Sequence, residues 1–261
     1  MKYKHKYSLT PIAIAALVAF PTAALADGPY VGVSGGVVLP EDSSNAGEFD
    51  ADVPATPDFG AIPAGTEVGW ETQFDTGFAI SGQAGYAFEN GFRLEAEVAY
   101  SEYDVDTHTG LTVGGANIDG ADVAILTRGA ADPANPTVGA VIADGQGKVT
   151  NFGLFGNVFY DINTGSAFKP YVGGGIGYQW VDVDYMPSGV AVGADEDGTF
   201  AYQLMAGASF EVSDNFEIFG QYTWRDSTEE AEIPLTLVPA TLGVESSQSI
   251  ISAGVRVGFG G

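Results

Sequence analysis

The chain has 261 residues, with 34 Asp and Glu against 9 Lys and Arg, a formal charge of −25, 37 glycines and no cysteine. This balance excludes nucleic-acid binding, which needs clustered Lys and Arg facing phosphates. The absence of thiols excludes disulfides, thiolate metal sites and cysteine nucleophiles.

The chain opens on Lys2, Lys4 and Lys6, followed by an apolar stretch from Leu9 to Phe20 and then Ala24-Leu25-Ala26 before Asp27. This is the pattern of a secretory signal peptide cleaved after Ala26. The apolar run is about a dozen residues and contains Pro11, too short to span a membrane as a helix. Residues 1–26 are therefore expected to be removed, leaving 27–261 as one domain.

Long runs of period-2 alternation follow, separated by acidic loops with Gly and Pro. From Trp70 to Phe88 the even positions carry Trp70, Phe74, Phe78, Ile80, Tyr86 and Phe88, and the odd ones carry Glu71, Gln73, Asp75, Ser81 and Gln83. Such alternation reads as strands with one apolar face. Strands are expected near 29–39, 70–88, 92–103, 148–161, 170–182, 199–212, 216–225 and 248–259. Aromatics recur eight residues apart in several runs: Phe92 and Tyr100, Phe152 and Tyr160, Tyr202 and Phe210, Phe216 and Trp224. In a tilted strand that interval projects to about 20 Å, close to the apolar band between the aromatic girdles of an outer-membrane barrel. The apolar face is thus expected to point outward into lipid.

The connections alternate in length. Glu89-Asn90-Gly91, Ser213-Asp214-Asn215 and residues 162–169 are short, whereas 40–69, 104–147, 183–198 and 226–247 are long. Short periplasmic turns and long extracellular loops are the topology of a bacterial barrel. The expected fold is all-β: an eight-stranded antiparallel up-and-down transmembrane β-barrel with long acidic extracellular loops and periplasmic termini. Val123–Leu126 and Val138–Ile142 are expected to pair as a hairpin above the membrane; ten strands is the alternative architecture.

An outward apolar face puts ions inside. The expected lumen network is Glu71, Asp75, Arg93, Glu95, Glu97, Glu211, Glu217, Arg225 and Arg256. An eight-stranded barrel is just wide enough for side chains to fill, so these ions are expected to neutralise one another. Gly32, Gly36, Gly173, Gly175 and Gly177 would make room for Arg93, Arg256, Gln203 and Gln221 to reach across.

Three segments resemble a known group: Lys169-Pro170-Tyr171-Val172-Gly173-Gly174-Gly175-Ile176-Gly177-Tyr178, Phe200–Gly207 and the ending Ser249–Phe259. They are similar to the small outer-membrane β-barrel superfamily, which includes opacity-type surface proteins and the OmpA-like transmembrane barrel. The resemblance implies location in the outer membrane of a Gram-negative bacterium and assembly by the barrel-assembly machinery. The insertion signal it implies is Ile251, Ala253, Val255, Val257 and Phe259, here followed by Gly260-Gly261.

Chemistry is sparse. Beyond the signal segment the one histidine is His108, in the second long loop near Asp104 and Asp106. A lone loop histidine needs a positioned nucleophile or water before it acts as a base, and a solvated loop position is expected. Asp195-Glu196-Asp197-Gly198 and Glu41-Asp42 with Glu48, Asp50 and Asp52 carry oxygen ligands suited to Ca²⁺ or Mg²⁺ but no EF-hand spacing. Divalent cations loosely held there, bridging to lipopolysaccharide phosphates, are the expected small partners. No catalytic, cofactor or dedicated metal residues are expected. The long loops hold 24 of the 34 acids when taken as 40–69, 102–147, 182–198 and 226–247. The expectation is a monomeric, non-catalytic surface or structural protein surrounded by outer-membrane lipid and lipopolysaccharide. A narrow cation-selective channel is the first alternative, and a surface hydrolase acting on lipid A or peptides is the second.

Overall fold

The computed structural model describes residues 28–259, so the expected signal segment and Gly260-Gly261 lie outside the described residues. In chain order the strands are β1 Gly28–Pro40, β2 Ser43–Phe49, β3 Glu67–Phe74, β4 Gly77–Ala87, β5 Phe92–Val113, β6 Ala116–Asn117, β7 Gly147–Asp161, β8 Phe168–Tyr185, β9 Gly193–Ser213, β10 Phe216–Ser227, β11 Ala231–Pro234, β12 Ala240–Val244 and β13 Ser247–Gly258. Two helical turns, α1 Ala124–Thr127 and α2 Val138–Ile142, lie between β6 and β7.

Eight of these strands close the membrane wall. β1 pairs with β4, β4 with β5, β5 with β7, and the ladder continues through β8, β9 and β10 to β13, which returns to β1. All these pairings are antiparallel, and closure removes the unpaired edges that lipid could not satisfy. The outward face is apolar: Ile176 is 75% exposed and Phe200 67%, positions that only hydrocarbon surroundings would favour. Two aromatic belts bound it. The upper belt pairs Phe78 with Tyr100, Phe152 with Trp180, Tyr178 with Phe200 and Tyr202 with Trp224, at ring-centroid separations of 5.3–5.9 Å. The lower belt includes Tyr86 with Phe88 and Phe92 with Tyr160.

Above the upper belt the long connections are built, not loose. β2, β3, the upper half of β5, β12 and β11 form a second antiparallel sheet in the order β11-β12-β2-β3-β5. β11 then leans on β9, where Gly193 bridges Leu235 and the Thr236 amide donates to the Val192 carbonyl at 3.0 Å. The expected strand over 70–88 is therefore two strands in two sheets. It breaks at Asp75-Thr76, β3 joining the extracellular sheet and β4 the wall. The expected hairpin of Val123–Leu126 with Val138–Ile142 is replaced by α1 and α2. Thr137 caps α2, accepting from the Ala140 amide at 3.3 Å, whereas α1 has no side-chain cap at Val123 and is preceded by an Asx turn in which Asp122 accepts from the Ala124 amide at 2.8 Å. α2 packs on β5 and on the turn Pro187–Gly189.

An apolar layer joins the two parts. Val38, Val149, Val181, Val183 and Ile250 of the wall strands pack with Ala231, Ile233 and Val244 of the extracellular sheet.

Candidate functional site

The lumen collects most of the buried charge because every second residue of each wall strand must point inward. Arg93, Glu95, Glu97, Glu217, Arg225 and Arg256 are all buried there. Arg93 Nε donates to Asp161 at 2.7 Å, and its Nη1 lies 3.8 Å from Glu95. Glu95 also accepts from the Tyr30 hydroxyl at 2.7 Å. Arg256 pairs with Glu217 at 2.9 Å and lies 3.8 Å over the Phe219 ring.

The pair that crosses the lumen is Glu97 on β5 with Arg225 on β10, at 3.5 Å. These strands stand four apart in a ring of eight, at opposite ends of a diameter. Gln203 bridges the pair. Its Oε1 accepts from Arg225 Nη2 at 2.8 Å, while its Nε2 donates to Glu97 at 2.8 Å and to Asn157 Oδ1 at 2.8 Å. Asn157 Nδ2 donates to Glu97 at 2.9 Å, so the carboxylate is satisfied from three sides. Beside the pair remains a void of about 20 Å³, room for about one water molecule.

Three of the expected lumen ions lie elsewhere in the barrel or outside it. Glu211 pairs with Lys169, both half-buried, near the β9–β10 turn. Glu71 and Asp75 are exposed and do not reach the lumen, because β3 has left the wall. Glu71 instead accepts from the Ser44 hydroxyl at 2.7 Å across the β2–β3 pair. Tyr30, Asn157, Asp161 and Tyr171 complete the network and were not singled out from the sequence; the inward phase of their strands was the available signal. The lumen glycines also serve different neighbours from those expected. Gly173 and Gly177 lie opposite Phe159 and Phe155 across β7–β8, and Gly175 lies opposite Asn157. A Cβ there would strike those side chains. Of the expected partners, Arg256 meets Gly32.

In the extracellular domain His108 is not a solvated loop residue: it sits on the upper half of β5 and is 2% exposed. Asp104 and Asp106 lie on the exposed face of that strand and do not partner it. Its Nδ1 lies 2.8 Å from Thr72 Oγ1, and its ring meets Tyr185 edge-on at 4.9 Å. Burial lowers its pKa from 6.5 to about 4, with Asp144 opposing the shift.

Several loop acids are structural acceptors. Asp119 accepts from the Gly110 and Leu111 amides, and Asp122 from the Ala124 and Asp132 amides and the Asn135 side chain. The Ala124 amide is the main cause holding the Asp122 carboxyl below its usual range. Among the described residues no three His, Asp or Glu side chains converge as a metal-holding group. Arg128, the one basic residue of the long loops, donates through Nη2 to the carbonyls of Pro54, Phe59 and Gly60.

Comparison with known proteins follows the geometry. The surface antigen family matches residues 62–259. An outer membrane protein of Gluconacetobacter diazotrophicus is 27% identical over 251 residues, covering 90% of this chain; the chain spans about 57% of that protein's length. Of solved structures, OprG from Pseudomonas aeruginosa superposes with a TM-score of 0.50 at 16% identity, covering 89% of this chain and 97% of that one, which is a likeness of fold. Neisserial surface protein A gives 0.42 at 18% identity over 89% and 97% of the two chains.

Proposed function

Because the chain belongs to the surface antigen family and is a β-barrel of the Gram-negative outer membrane, we propose that it is a non-catalytic surface-interaction protein whose sealed barrel holds an ordered recognition domain above the membrane. The observation that carries this reading is the Glu97–Gln203–Arg225 connection across the lumen, with the apolar layer around Val38, Val181 and Ile233 closing the path above it. An ion crossing the wall would have to break a buried pair and then enter hydrocarbon, and removing one partner from such a pair costs about 3–5 kcal/mol. Loops fixed on a rigid frame are where recognition is usually placed, and here the frame extends into the loops as a second sheet. Lipid and lipopolysaccharide surround the wall. Ile251, Ala253, Val255 and Val257 line the lipid side of β13, where the barrel-assembly machinery would read them.

Planar-bilayer recordings on the refolded chain check the proposal. No resolved conductance is expected; cation-selective current steps would establish a channel in its place. Purified protein incubated with lipid A or peptides should leave both unchanged, since the hydroxyl beside the His108 ring, that of Thr72, is fully buried and held by Asn45 and Trp70, out of reach of a substrate.

A further inference from the structure

The extracellular domain holds a cavity of about 160 Å³ that opens to the outside on one side. Its walls are Phe49 of β2, Val68 of β3, Leu111 of β5, Ile125 of α1, Ile142 of α2 and Leu235 beyond β11, and almost all the surface they present is hydrocarbon. Two further lining residues, Val190 and Leu237, are 47% and 38% exposed and mark the outward side. A dry cavity of about 150 Å³ lined by Leu, Ile and Phe accepts a six-carbon ring in an engineered protein, so this one is of ligand size.

His108 forms part of the wall, and its tautomer follows from its neighbours. Thr72 Oγ1 accepts from Asn45 Nδ2 at 2.6 Å and from Trp70 Nε1 at 3.2 Å. A hydroxyl has two acceptor positions and one proton, so with both acceptor positions filled its proton goes to His108 Nδ1. The neutral imidazole then carries its own proton on Nε2, directed away from Thr72. That Nε2 is buried and has no partner. Buried donors are nearly always satisfied, and one left open is destabilising. The other unpartnered polar atom of the wall, Arg128 Nε, is also a donor. The site therefore calls for an acceptor.

We infer that this cavity binds a small neutral molecule with a hydrocarbon body of about six carbons and a single carbonyl or hydroxyl oxygen that accepts from His108 Nε2. An anion is disfavoured because the guanidinium of Arg128 is already engaged by three backbone carbonyls and the surrounding loops are strongly acidic. The inference rests on the extracellular domain being the recognition part of the molecule. It is tested separately from conductance, so a conducting barrel and an empty cavity are distinguishable failures.

The test uses the full chain in lipid nanodiscs, ¹⁵N-labelled at histidine, titrated with cyclohexanone, methylcyclohexane and cyclohexanecarboxylate, with empty nanodiscs as the reference for partition. A saturable shift of the His108 Nε2 resonance with cyclohexanone is expected. Calorimetric titration should give methylcyclohexane at least about tenfold weaker binding, the loss of one hydrogen bond to a buried donor. Val141→Trp, which puts an indole ring into the cavity from α2, should abolish the shift while the barrel keeps its heat-modifiable gel migration. In His108→Phe, cyclohexanone should fall to the affinity of methylcyclohexane. A drift that never saturates, or a saturable shift unchanged by Val141→Trp, overturns the site. Tighter binding of the carboxylate than of the ketone overturns the neutral ligand and assigns the cavity to an amphipathic anion. Nuclear Overhauser contacts from lipid terminal methyls to cavity side chains without any probe would assign it to an acyl chain instead.

Discussion

His108 and the lumen arginines solve the problem of a buried polar group in opposite ways. His108 stays neutral: burial lowers its pKa from 6.5 to about 4. The unfolded chain therefore takes up the proton first as pH falls. The ring's contribution to stability is complete above pH 6.5 and is lost as pH drops toward 4, by up to about 3 kcal/mol. Denaturant midpoints of the extracellular domain at pH 7.5 and pH 5 should fall accordingly, and His108→Phe should flatten that dependence; an unchanged slope in the variant would remove His108 as its source. The lumen arginines remain charged and are paired. Arg225 donates to Gln203, lies against Glu97 and sits 4.1 Å over the Phe155 ring. Arg225→Ala strands Glu97 in the lumen, at a cost of about 3–5 kcal/mol. The double variant Glu97→Gln with Arg225→Met removes both charges and should recover much of that loss. Urea unfolding in lipid would show it; equal losses in single and double variants would mean that the residues act through packing alone.

At the scale of elements, two aspartates hold the connection between β5 and β7. Asp122 ties the first turn of α1 to the Asp132 amide and Asn135, while Asp119 fastens the segment after β6 back to the Gly110 and Leu111 amides of β5. Without Asp122 the first turn of α1 loses its tie to the following loop, and what remains is a four-residue helix with no N-cap side chain, held by Ile125 and Leu126 against the apolar cluster of the domain. Asp122→Ala should open protease cleavage between residues 119 and 137 while the wall keeps its gel mobility; cleavage in the wall itself would contradict the separation of the two parts. The wall was legible in the sequence because lipid on one side and a packed lumen on the other enforce strict alternation. The extracellular sheet was not. β2 reads Ser-Ser-Asn-Ala-Gly-Glu-Phe, and its buried side includes Ser43, which donates to Asn45, and Asn45 itself, whose further partners Trp70 and Thr72 are distant in sequence. Alternation persisted from Trp70 to Phe88 because β3 and β4 each bury one face, so the pattern carried no sign that the chain changes sheet at Asp75. Val123–Leu126 and Val138–Ile142 were ambiguous for another reason. Runs of four or five apolar residues fit a strand or a helical turn equally, and the aspartate and threonine before them decided the outcome. His108 looked solvated because it shares the parity of the exposed Asp104 and Asp106, but an irregularity in the β3–β5 pairing opposite Gln73-Phe74 shifts the alternation at Asp106 and turns His108 inward.

The whole molecule divides its charge by depth. The wall buries its ions as short-range pairs, whereas the long loops, taken as 40–69, 102–147, 182–198 and 226–247, carry 24 of the 34 acids, with Glu71 of β3 beside them and Arg128 as the single basic residue of those loops. Charges on a hydrated surface repel over a Debye length, about 30 Å at 0.01 M and 8 Å at 0.15 M salt, while buried pairs are screened far less. Acids bound to backbone amides, such as Asp119 and Asp122, are fixed in place and cannot move apart. Self-repulsion should therefore weaken the extracellular domain at low ionic strength and leave the wall nearly untouched. Heating the protein in nanodiscs should give two transitions. The first, seen as protease sensitivity within 41–69 and 105–146, should move upward as salt rises from 0.01 to 0.15 M, the range over which screening shortens. The second, seen as loss of heat-modifiable migration, should stay fixed. One salt-independent transition would mean that the apolar layer joining the sheets couples them into a single cooperative unit. The acidic domain would then be as firmly held as the barrel beneath it.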